Sequence, residues 1–191
     1  MPYPYPAPCY HEAGHAVVAF HHGLKLLYVT MEPPPDSGHW GQTATVAPEV
    51  MDLAQLEIAM QVAAAGDIAR SWFLPTREAD REERTDDWLM KRFRNAARAV
   101  AESDLWFRDV DRLIFAQRGL ERDAEIRKAG ANAAIAPGGW IPVFREAERL
   151  ICDELWPTVE AVAEELIQSP HELSHEDVAA LVATATGNAE Q

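Results

Sequence analysis

The residues whose types and spacing carry the most chemistry lie near the start of the chain. His11, Glu12 and His15 form an HExxH pattern within Cys9-Tyr-His-Glu-Ala-Gly-His-Ala-Val-Val18. On an α-helix, residues four apart are rotated by about 400°, so the two imidazoles share one face with only about 40° between them. Two nitrogen ligands so placed can grip one Zn²⁺. Glu12 falls about 100° from His11 and about 60° from His15, at the rim of that face. A carboxylate there reaches water beside the metal without being used as a ligand, which is the general-base position of a zinc hydrolase. Ala16, Val17, Val18, Ala19 and Phe20 continue the segment as an apolar helix.

His171, Glu172 and His175 match the same pattern letter for letter. Here Pro170 precedes the match and Ser174 lies inside it, followed by His175, Glu176, Asp177 and the apolar run Val178 to Val182. Ser-x-x-Asp before an apolar run is a helix N-cap signature. A cap residue is not helical, so His171 and His175 fall on opposite sides of a helix start and share no face. The second copy is read as coincidence.

Two histidines do not complete a catalytic zinc site, which takes three protein ligands and one open position. His21 stands where the metzincin pattern has its third histidine, but Val18 occupies the glycine position of that pattern. On a continuing helix His21 lies about 240° round from His15 and about 9 Å further along, facing away. Downstream candidates are His39, Asp67, Asp80, Glu82, Glu83, Asp86 and Asp87, and a carboxylate from a later helix is expected.

The elements that must position these groups are mostly helices. The first is expected from about Pro8 to His22, stopped by Gly23. Residues 25–31 are rich in β-formers and end at Pro33, Pro34 and Pro35; residues 40–46 read as a second strand. Apolar spacing predicts helices over 52–73 and from residue 86 onward, relayed to about 126. A loop is expected over 133–142, then helical spacing over 143–168 with Pro157 starting or kinking a helix, then a helix after Ser174. The expected fold class is mainly α with a small antiparallel β-sheet (α+β), a zincin-like HExxH helix followed by a helical bundle. Residues 1–8 form an expected extended Pro-rich arm, 9–186 one domain and 187–191 a tail.

Bulk composition narrows the partners. A length of 191 residues suits one domain with a proper core. A net charge of −14 argues against nucleic acid or an anionic membrane surface. Cys9 and Cys152 show no metal spacing and no disulfide framework, and Cys9 lies about 200° round the helix from His11. No apolar stretch approaches the roughly 20 residues of a membrane span. The first eight residues have neither a basic region nor an apolar core, so a cytoplasmic location is expected.

Tyr10-His-Glu-Ala-Gly-His-Ala-Val-Val18 resembles the motif helix of the FtsH-type AAA+ zinc metalloproteases. Val29-Thr30-Met31, a proline-rich loop and Gly41-Gln42-Thr43 are similar to that family's strand pair ending in Gly-x-Thr. Val62-Ala-Ala-Ala-Gly-Asp-Ile-Ala69 is similar to its Gly-Gly-Arg-x-Ala-Glu helix, with Asp67 and Arg70 in reversed charge order. Thr85-Asp86-Asp87-Trp88 falls where the family has Ser-Asn-Asp-Leu, and this resemblance implies Asp87 as the third zinc ligand. Residues 155–181 resemble the closing helices, with Leu173-Ser-His-Glu-Asp177 matching the family's Leu-Ser-x-Glu-Glu step. The resemblance covers the peptidase domain alone, with no Walker motif and no membrane anchor, and residues 103–142 have no counterpart.

The resemblance implies a zinc-dependent metalloendopeptidase with Zn²⁺ on His11, His15 and Asp87 and with Glu12 as general base. Without an unfoldase ring, the expected substrates are peptides or unfolded protein segments. Gln42, Thr43, Ala44 and Thr45 would pair with an extended substrate through main-chain hydrogen bonds. Asp86 is the rival to Asp87 as third ligand. The alternative function is a non-catalytic or regulatory, metal-stabilised binding module on the same fold. Oligomeric state is left open, with a homo-oligomer among the options.

Overall fold

The computed structural model describes residues 5–32, 41–46, 53–74, 141–169 and 171–187. These form a mainly helical structure with one small antiparallel sheet. Helix α1 spans Pro6–His21, β1 Leu26–Thr30, β2 Gln42–Thr45 and α2 Leu53–Phe73. Further on, α3 is Ile141–Arg149, α4 Trp156–Gln168 and α5 His175–Gly187, with a π-helical stretch Leu150–Leu155 joining α3 to α4. The expected helix from residue 86 onward and most of the 133–142 loop lie outside the described residues.

Helix α1 begins at Pro6, two residues before the expected start, so the last three residues of the expected extended arm are helical. The reason is local: proline presets a helical φ, and an amide at the first helical positions has no intrahelical partner to lose. Ile141 and Pro142 are already helical, within α3, rather than closing a loop. Pro157 stands in the first turn of α4, which follows the π stretch without a break. It has no N–H to give, and its ring crowds the carbonyl one turn back; the wider π turn before it takes up the misfit.

Helix α1 is central. It packs most extensively on α2, next on α4, and also touches both strands. The α1–α2 approach is close because the facing residues are small. A Cβ on Gly14 would meet Ala65 O at 2.5 Å and Ala69 Cβ at 2.8 Å. Phe144, Leu26, Met60, Ile68, Ile151 and Leu166 fill the core between these elements, each almost wholly removed from solvent. At the start of α1, Tyr10 stacks on Phe73 (centroids 4.0 Å apart) and on Trp156 (5.6 Å), tying together the end of α2 and the start of α4. Each such pair contributes roughly 0.5–1.5 kcal/mol beyond its buried area, and this clamp sits one residue before His11. At the other end, His22 Nε2 donates to Gln61 Oε1 at 2.7 Å; burial pushes the His22 imidazole below its ordinary pKa.

In the sheet, Tyr28 faces Ala44, Val29 faces Thr43 and Thr30 faces Gln42, with a register irregularity between Leu26 and Tyr28. Val29 also exchanges both main-chain hydrogen bonds with Leu173, at 2.9 and 2.7 Å. Its N–H and C=O therefore point away from β2, which makes Val29–Thr43 a non-hydrogen-bonded pair. By the same alternation the N–H and C=O of Thr43 point outward, along the edge of β2 away from β1. Among the described residues no helix is long and apolar enough to cross a membrane.

Candidate metal centre

The two histidines of the first HExxH converge as their helical spacing requires. His11 Nε2 and His15 Nε2 are 3.0 Å apart, with the rings at 89° to one another. Two nitrogens each about 2.0–2.1 Å from one tetrahedral zinc stand about 3.3 Å apart, so the pair needs only a few tenths of an ångström to fit. Neutral imidazole nitrogens at this separation fit the donor type and spacing of a zinc site.

The orientation of His15 is set by α2. Its Nδ1 lies 2.7 Å from the carbonyl oxygen of Val62. A carbonyl can only accept, so in the neutral ring Nδ1 carries the hydrogen and Nε2 presents its lone pair. That is the tautomer a metal ligand needs. One turn along α2, Gly66 leaves the room the ring occupies: a Cβ there would come within 2.6 Å of His15 Cε1 and 2.8 Å of Cδ2. The small residues at the α1–α2 crossing thus serve the site as well as the packing, because only a close crossing lets an imidazole of α1 reach the backbone of α2.

Asp67 follows Gly66 on the same helix. Its Oδ1 is 3.6 Å from His11 Nδ1, on the side of the ring turned away from His15. The distance exceeds a hydrogen bond, yet it places a carboxylate where ligand histidines are commonly oriented. Of the downstream ligand candidates read from the sequence, Asp67 is the one the described residues contain, and it stands behind His11 on the ring edge away from Nε2. Asp87, with His39, Asp80, Glu82, Glu83 and Asp86, lies outside the described residues. His21 is exposed in the last turn of α1 and packs edge-on against His22. Among the described residues no three His, Cys, Asp or Glu side chains form a group that could hold a metal ion.

Glu12 is buried, with 7% of its surface exposed, between α1 and the start of β2. The Thr43 hydroxyl lies 2.8 Å from Glu12 Oε2, to which it donates, and 3.1 Å from the Glu12 carbonyl oxygen. Gly41 permits this closeness: a Cβ there would meet Glu12 Cγ at 2.6 Å and Met31 Sδ at 3.0 Å. Of the four residues expected to bind substrate, Gln42 and Thr43 are half-buried while Ala44 and Thr45 are buried, so Thr43 is the one the strand brings to the glutamate. Cys9 takes no part. It is fully buried and its thiol is pushed up to about 12, chiefly by burial, so it stays protonated and unreactive.

The spacing of the motif pointed to His11, Glu12 and His15, while the supporting groups were less legible. Gly66 and Gly41 make space rather than bonds, and the Val62 carbonyl belongs to a backbone whose side chain gives no hint of it. The one available signal was a glycine inside a strongly helical pattern, which costs about 1 kcal/mol relative to alanine and so implies a compensating role.

The second HExxH is arranged differently. His171 is exposed, with Nδ1 3.4 Å from Glu32 Oε2, and residues 171–174 are not helical. His175 opens α5, and its Nδ1 accepts the Leu26 N–H at 3.3 Å. Between them Ser174 caps the helix as expected: Asp177 N–H donates to Ser174 Oγ at 3.2 Å, and Ser174 N–H donates to Asp177 Oδ2 at 2.9 Å.

No protein-family model matches the chain, and no curated protein matches it. What the site can do is therefore carried by its own side chains.

Proposed function

We propose that this protein is a zinc-dependent metallopeptidase of the zincin type, similar to the FtsH peptidase domain, that hydrolyses peptide bonds in peptides or unfolded segments. The supporting observation is the convergence of His11 Nε2 and His15 Nε2 to 3.0 Å beside a buried, anchored Glu12. His11 and His15 hold the metal, with Asp87 as the third ligand. Zinc bound there supplies Lewis acidity to water and to the scissile carbonyl. Glu12 accepts the proton of the attacking water as its oxygen bonds to the carbonyl carbon, and returns it to the amine nitrogen as the C–N bond breaks. An extended substrate is held against the outward edge of β2, where the main-chain groups of Thr43 pair with it.

Glu12→Gln is the decisive variant. It should keep one equivalent of zinc and lose hydrolysis by roughly 10²–10⁴-fold, because an amide takes no proton at neutral pH. Zinc-bound wild type no faster than Glu12→Gln on quenched fluorescent peptides would instead support the metal-stabilised binding module. For the third ligand, Asp87→Ala should weaken zinc binding strongly and Asp86→Ala only mildly, since the family resemblance aligns the ligand aspartate with Asp87. The opposite order in a zinc competition titration would move the ligand to Asp86.

A further inference from the structure

The Thr43–Glu12 contact supports a role that neither residue type nor spacing announces. A carboxylate turns about its last torsion in a broad, roughly two-fold well, so burial alone does not decide which way its oxygens face. In this protein that rotation is anchored. Thr43 donates its one hydroxyl hydrogen to Oε2 at 2.8 Å, with the carbonyl oxygen of the same residue 3.1 Å away, so the hydroxyl is seated against both the side chain and the helix that carries it. Gly41, just before the strand and two residues earlier, lets the backbone lie against Glu12 Cγ. Thr43 also turns its own main-chain N–H and C=O to the outward edge of β2, as the alternation set by the Val29–Leu173 bonds requires.

We propose that Thr43 is the positioning residue for Glu12: its hydroxyl sets the direction in which the carboxylate meets water, and its backbone holds the substrate strand at the same point. Resting on the peptidase reading, this goes beyond it by coupling the docking edge to the general base through one residue. A peptide seated in register along β2 then meets a carboxylate already aligned by the residue it pairs with.

The test compares Thr43→Val with Thr43→Ser in the full chain. Valine keeps the branched shape and the strand preference but lacks the hydroxyl; serine keeps the hydroxyl. On a quenched fluorescent peptide cleaved by the wild type, Thr43→Val should lower kcat by about 10- to 100-fold, the scale of a misplaced reacting group. KM should stay within about two-fold, because the main-chain pairing edge is intact, and zinc content should be unchanged. Thr43→Ser should recover most of the loss. Crystal structures of the two variants should show Glu12 rotated away from its position in the valine protein and retained in the serine protein. Wild-type kcat in Thr43→Val, a serine variant no better than valine, or an unmoved Glu12 carboxylate in the valine crystal would each overturn the assignment. The crystal comparison reads the anchor even if the peptidase reading fails, and failure of that reading appears separately as equal rates for wild type and Glu12→Gln.

Discussion

Residues 11–15 and 171–175 spell the same five-letter pattern, and the protein folds them into different objects. The first lies wholly inside α1, so its histidines rise on one face and their Nε2 atoms meet. The second straddles the start of α5, with Leu173 bonded into the edge of β1 and Ser174 capping the helix. His171 and His175 go to separate partners, Glu32 and the Leu26 backbone. A motif is thus a statement about side-chain direction, valid only where the backbone is helical throughout. Neighbours make a second difference. Behind the first copy stand the Val62 carbonyl and the Gly66 gap, which orient and accommodate the His15 imidazole, and Asp67, 3.6 Å from His11 Nδ1.

The largest expected effect separates the two copies directly. His11→Ala or His15→Ala should abolish stoichiometric zinc, exceeding the about 10- to 100-fold loss typical of outer groups that merely orient a ligand. His171→Ala and His175→Ala, together or singly, should leave the metal content of the purified protein unchanged. Zinc lost from the double 171/175 variant would mean that the capped copy takes part in metal binding and that the contrast is wrong.

A smaller effect tests whether the neighbours matter. Gly66→Ala puts a methyl where the His15 ring lies, and the ring is pinned on its other nitrogen by Val62. Zinc affinity should fall by about 10- to 100-fold while the far-ultraviolet circular dichroism stays that of a folded helical protein. Gly187→Ala is the control, since nothing lies within 4 Å of a Cβ there. Equal zinc affinity in both variants would remove Gly66 from the site.

The smallest effect concerns the cap that divides the second copy. Ser174→Ala should lower stability by about 1 kcal/mol at neutral pH, read from chemical denaturation. The Ser174 N–H and hydroxyl hold the Asp177 carboxyl below its ordinary value of 3.8. A depressed carboxyl contributes stability above its unfolded pKa and loses it as pH falls through its folded one. The gap between wild type and Ser174→Ala should therefore be full at pH 7 and narrow below 3.8. A gap that widens with acid would show that Asp177 is not the partner that matters.

Local signals were legible where local physics decides the outcome. Helical spacing placed His11, Glu12 and His15 together, Ser-x-x-Asp located the start of α5, and β-formers between turn residues marked both strands within a residue or two. The first helix came out earlier than expected, at Pro6, because proline is as good a first helical residue as it is a breaker. The π turn before Pro157 was not legible, since nothing in residue type distinguishes a fresh start from a widened one.

The sequence by itself determined which side chains can share a helical face, because that depends only on 3.6 residues per turn, and it determined that α5 could not begin before its cap. Only the tertiary structure decided what those faces meet. The approach of α2 to α1 through Gly14, Ala65 and Ala69 brings the Val62 carbonyl to His15, Asp67 to His11 and the Gly66 gap beneath the ring. The pairing of β2 with β1 delivers the Thr43 hydroxyl to Glu12. These contacts join residues tens of positions apart through backbone groups and missing side chains, and no periodicity along the chain encodes such a meeting; close packing of the folded core does.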